Sequence, residues 1–82
     1  MQTVRLQGMQ GGESVPVSAT CFPTPDDGLL IRCLVAGRVV GNPSVEGAVL
    51  GLVPEHQREA FILAEIDAAV APCGVTELKP KD

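Results

Sequence analysis

From Val15 to Val40 the chain reads as a strand, a turn, a second strand, a second turn and a short continuation. That order confines it to an antiparallel ladder. Val15, Val17, Ala19 and Cys21 alternate with Ser18 and Thr20, the period of two expected of a half-buried strand. Pro16 places this strand at a sheet edge or marks its first residue, because proline donates nothing to a ladder. Pro23-Thr24-Pro25-Asp26-Asp27-Gly28 is turn chemistry: proline presets φ, the aspartates cap nearby backbone and glycine supplies a positive φ. Leu29 to Ala36 is apolar except for Arg32, which suits a central strand covered on both faces. Ala36-Gly37-Arg38 is a second tight turn, with Val39-Val40 continuing beyond it. If the hairpin closes over Asp26-Asp27-Gly28, Cys21 faces Cys33 and Ala19 faces Val35 on one side of the ladder.

The flanks complete a β-β-β-α order. Thr3 to Gln7 alternates with Val4 and Leu6 on one face, so it is a short strand, and the glycines of Gly8–Ser14 make a loop. After the break at Asn42-Pro43, Ser44 is placed to cap a short helix over Val45–Leu50, although Gly47 and Gly51 leave a fourth strand open as the alternative. Pro54 to Ala71 is the clearest helix. Proline suits its first position, Glu55 and Glu59 suit the positive end of its dipole, and Pro72 with Cys73-Gly74 stops it. Ile62, Leu63, Ile66, Ala69 and Val70 share one face at helical spacing and are expected on the sheet. On another side Ala60, Ala64, Ala68 and Ala71 form a stripe of small residues with Phe61 at its margin and Arg58 and Glu65 along its border. The expected fold is therefore α+β. A small antiparallel sheet of three to four strands packs against one long C-terminal helix, in a single domain over residues 1–75 with a flexible tail over 76–82.

Composition narrows the function by exclusion. The chain has 82 residues, which suffices for one core. Its apolar share of 45 % is that of a folded protein, but Phe22 and Phe61 are the only aromatics, so the core rests on aliphatic side chains. Net charge is −4, and the cations are Arg5, Arg32, Arg38, Arg58, Lys79 and Lys81. Neither a clustered basic stretch nor stacking aromatics are present, so direct nucleic-acid binding is not expected. No apolar run approaches the ~20 residues of a membrane helix, and no leader pattern opens the chain. Three cysteines without framework spacing point to reduced thiols and a cytoplasmic setting, bacterial or, for a phage protein, in the infected host.

Catalytic constellations are missing. His56 sits among Glu55, Gln57 and Arg58 and reads as a solvated helix residue with no nucleophile in visible relation to it. Asp26 and Asp27 are adjacent carboxylates in a turn, where capping is the usual role. The glycines match no phosphate loop. Cys21, Cys33, Cys73 and His56 lack the close ligand pairs of a structural zinc site. No enzyme activity, metal or cofactor is expected.

The pattern Cys21-Phe22-Pro23…Gly28…Cys33…Gly37 resembles the YrdB-like family of short bacterial proteins of unknown function. The resemblance covers roughly Val15 to Val70, and Arg58 and Glu65 take the places of that family's helical Arg and Glu. It implies a small α+β fold and a bacterial cytoplasm, and carries no residue role.

What remains is a small non-enzymatic interaction protein that docks on a larger protein partner. Its candidate contact surface is the helix side around Ala60, Phe61, Ala64, Glu65 and Ala68, which is also one route to a homodimer. Two alternatives stand beside it. One is a phage or mobile-element inhibitor of a host defence system, of the anti-CRISPR kind. The other is a thiol-based redox module using Cys21 and Cys33 across the hairpin.

Overall fold

The computed structural model describes residues 2–81. Its strands are β1 (Gln2–Gln10), β2 (Glu13–Pro23), β3 (Leu29–Val35), β4 (Arg38–Gly41), β5 (Ser44–Val45) and β6 (Val75–Pro80). Between β5 and β6 lie one turn of helix, α1 (Gly47–Leu50), and the long helix α2 (Arg58–Val70). A 3₁₀ turn stands at each end of α2, Glu55–Gln57 before it and Ala71–Cys73 after it. The fold is α+β with an antiparallel sheet, but the sheet has six strands where three to four were expected. Its order is β4-β3-β2-β1-β6, with β5 pairing the start of β3.

β6 comes from the segment read as a tail, and β5 from the segment read as a short helix or a fourth strand. β6 pairs with β1, Val75 opposite Gln10 and Lys79 opposite Gln7, and Val75 is fully buried. Residues 76–80, expected to be frayed, are thus an edge strand. Lysine and proline are common on exposed edges because they discourage further pairing, and here they hid the strand. Asp82 of the expected tail and Met1 of the expected domain lie outside the described residues. β5 and α1 divide the segment Val45–Leu50 between them, so both readings of it are partly right.

The supposed loop Gly8–Ser14 shrinks to Gly11-Gly12. Both glycines have positive φ, and the ladder continues through Gly8–Gln10 on one side and Glu13-Ser14 on the other. The β3–β4 hairpin closes over Ala36-Gly37, with φ of 50° and 82°. This pair of left-handed residues matches the right-handed twist of the flanking strands. Pro16 lies inside β2 and not at an edge strand. It sits beyond the last β3 pairing, Val17 with Val35, and its carbonyl accepts from Ala36 N–H at 2.9 Å. A donor facing β3 at that point would find the turn, so the missing N–H costs no ladder bond.

α2 lies across one face of the sheet and contacts β3, β4 and β6. Ile66 and Val70 are fully buried under it, and Ile62, Leu63 and Ala69 are half-buried against the same cluster, as the helical spacing predicts. The core joins them to Leu6, Val17, Ala19, Cys21, Ile31, Cys33, Val35 and Val75. The helix ends where expected: Gly74, at φ 81°, donates its N–H to Ala71 C=O at 2.9 Å.

Candidate functional site

The hairpin that the sequence singled out has a different register from the one expected. β2 runs on to Pro23, which pairs with Leu29, so Thr24–Gly28 forms the whole loop. Asp27 takes a positive φ of 63°, and Asp27 N–H donates to Thr24 C=O at 3.1 Å while Gly28 N–H donates to Thr24 Oγ1 at 3.0 Å. These bonds make a five-residue loop in place of a three-residue one. The register therefore slips by two: Cys21 faces Ile31, and Cys33 faces Ala19. A slip of two preserves the face, so both thiols remain in the core, as diagonal and not opposed neighbours.

Burial pushes the Cys21 thiol up from its ordinary pKa. Burial, together with the nearby Cys21, pushes Cys33 up to about 11. Reactive thiols are held below the ordinary value by positive surroundings; this pair is shifted the opposite way. Cys73 is half-buried at the far end, and its carbonyl accepts from Gln10 Nε2 at 2.8 Å. His56 is exposed in the first 3₁₀ turn. Among the described residues no three His, Cys, Asp or Glu side chains gather closely enough to hold a metal ion.

Asp26 is a structural anchor. Its carboxylate accepts from Thr24 Oγ1, from Gly47 N–H at 3.1 Å and from Gly28 N–H at 3.3 Å, and these bonds hold its pKa below the usual carboxylate value. The loop is thereby fastened to the start of α1. Gly47 is required there, because a Cβ would collide with the Asp26 carbonyl.

The helix stripe is where the periodicity put it. Ala60, Ala64 and Ala68 are exposed, and Glu65 is half-buried. Phe61 is also half-buried and packs on the core cluster. Its ring serves α2 as much as any outside partner.

A second surface was not foreseen. β3 is central, as expected, but the described residues cover only one of its faces. Leu30, Arg32 and Leu34 point away from α2, where no element lies over them; the leucines are half-buried and Arg32 is exposed. The register extends this open face sideways. Phe22 stands opposite Leu30, Thr20 opposite Arg32, Ser18 opposite Leu34, and Val39, 53 % exposed, opposite Leu34. The Arg32 guanidinium carbon lies 5.5 Å from the centre of the Phe22 ring, within cation–π range. Arg5 is opposite Ser18 and Lys79 opposite Gln7 on the same face. None of the positions that share this face in β1 to β4 carries a carboxylate. Glu77 stands at the bulged β6 edge. Most other acids lie elsewhere: Asp26 and Asp27 in the loop, and Glu46, Glu55, Glu59, Glu65 and Asp67 along the helical side. The signal in the sequence was the apolar run Leu29–Ala36, which fits a strand covered twice, in a chain with one helix long enough to cover it.

A cavity of about 440 Å³ opens at one end of the core, between the first turns of α2 and the strand ends. Val4, Leu6, Cys21, Leu29, Leu50, Ile62 and Leu63 form its walls, and Arg58 and Glu59 stand at it as charged groups.

No protein-family model, no curated protein and no solved structure matches this chain.

Proposed function

We propose that this chain is a small non-enzymatic docking module that binds a larger protein partner through the uncovered face of its sheet. The observation that carries the reading is the outward row of β3. Leu30 and Leu34, with Phe22 and Val39 beside them, place apolar side chains on a face that no element among the described residues covers. Apolar side chains gathered on one uncovered face of a small protein mark an interaction site. Arg32 stands between the two leucines, with Arg5 and Lys79 to one side and no facing carboxylates, so the complementary surface combines acidic and apolar groups. A nucleic acid fits less well, because Phe22 is the single aromatic available for stacking. The raised thiol pKa values and diagonal placement of Cys21 and Cys33 weigh against the redox alternative.

Site-directed photo-crosslinking tests the reading. A crosslinking amino acid at Leu34 should trap one defined protein in cell extract, and the double variant Arg5→Glu, Arg32→Glu should abolish the adduct. Capture from Ala64 and not from Leu34 would move the contact to the helix stripe. No specific adduct from either position would overturn the docking function.

A further inference from the structure

Val17, Cys33, Val35, Val70 and Val75 are buried in the core. Val4, Leu29, Ile62 and Leu63 belong to the same inward-facing cluster yet stay half-exposed, because they line the cavity of about 440 Å³. Beside the opening stands an apolar projection. Leu50 lines the cavity, and from the same turn Val49 is 46 % and Leu52 is 83 % exposed. The exposure of Leu52 is built in: its N–H donates to Val49 C=O at 3.0 Å, and Val53 N–H donates to Leu50 C=O at 3.1 Å.

We propose that a second copy of this chain covers the cavity, with Leu52 and Val49 of each copy entering the mouth of the other around a two-fold axis. A projection and a hollow side by side on one patch are what an isologous contact requires, since each copy then both gives and receives. The volume lies within the range of sites that enclose small ligands, about 300–1,000 Å³, so a leucine side chain has room. The charges favour the same occupant. Arg58 and Glu59 are neighbours at the cavity, and a two-fold partner brings a Glu59 to each Arg58 and an Arg58 to each Glu59. A small anion or cation would meet one opposite charge and one like charge, and besides Arg58 and Glu59 only the Gln2 amide among the lining side chains could orient it. This surface lies under the helix, on the opposite side of the sheet from the proposed docking face, and stands independently of it.

Sedimentation equilibrium on the full chain, over a concentration series from low micromolar upward, should show a reversible monomer–dimer equilibrium. Leu52→Glu changes an exposed residue, so its fold can be verified by circular dichroism, and it should weaken the dimer more than about tenfold, as loss of a central anchor does. Arg58→Glu and Glu59→Arg should each weaken it, and the two combined should restore it, a rescue that only reciprocal pairing produces. A monomer at every concentration overturns the proposal, as does a dimer indifferent to Leu52→Glu. So does a monomer that takes up an apolar dye in this cavity, which would identify a small-ligand site instead.

Discussion

Cys21 and Cys33 show how a register decides the chemistry of a side chain. Directly opposed, they would be within bonding reach. As diagonal neighbours their Cα atoms stand about 7–8 Å apart, outside the ~4.4–6.8 Å that a disulfide spans. Oxidation of the folded protein should therefore leave no Cys21–Cys33 bridge, and peptide mapping by mass spectrometry after treatment with a thiol oxidant checks this. Alkylation should reach the half-buried Cys73 first and the other two only after denaturant is added. The raised pKa values also predict an alkaline limit. A thiol whose folded pKa lies above its unfolded value of 9.0 contributes stability that is complete below the unfolded value. That contribution is lost as pH rises through about 11 for Cys33. Urea midpoints measured across that window should fall, and Cys33→Ala should flatten the decline.

Asp26 shows how one carboxylate couples two elements. It joins the β2–β3 loop to α1 through Gly47 N–H, and α1 carries Leu50 and leads into the turn that holds Leu52. Its pKa is held below the ordinary carboxylate value, so its contribution is present above the unfolded value and disappears as pH falls through the lower folded one. Asp26→Asn should lower the thermal midpoint at neutral pH, and the gap from the parent protein should close below about pH 4. The last strand carries a second prediction. Ending the chain at Gly74 removes β6, exposes the long edge of β1 and takes Val75 from the core. Val75 alone accounts for about 1.5–3 kcal/mol of burial against a total of about 5–15 kcal/mol for a domain. With the ladder lost as well, the truncated chain should give no cooperative thermal transition and should aggregate, measured by calorimetry and light scattering.

The whole molecule is polarised. One side presents Arg5, Arg32 and Lys79 around apolar side chains, the other presents α2 with most of the acids. The cavity opens beneath that helix. The proposed dimer has a thermodynamic signature at this scale, because a partner that binds only the folded state raises its apparent stability by mass action. The thermal midpoint of the parent chain should rise with protein concentration, and that of Leu52→Glu should not, as differential scanning calorimetry will show.

Elements whose periodicity is local could be read directly from the order of residues. Alternation in β2, the apolar run of β3, the tight turn at Ala36-Gly37-Arg38, the long helix with Ile66 and Val70 inward, and its stop at Gly74 all follow from contacts a few residues apart. The exposed alanines of the stripe were legible for the same reason. Tertiary structure alone decided the rest. Five loop residues in place of three were set by Thr24 and Asp26 bonding their own backbone and that of Gly47, and this moved Cys21 away from Cys33. β6 exists because β1, more than sixty positions earlier, offers it an edge. The open face of β3 and the cavity are absences of covering, fixed by how far a single helix reaches across a six-stranded sheet.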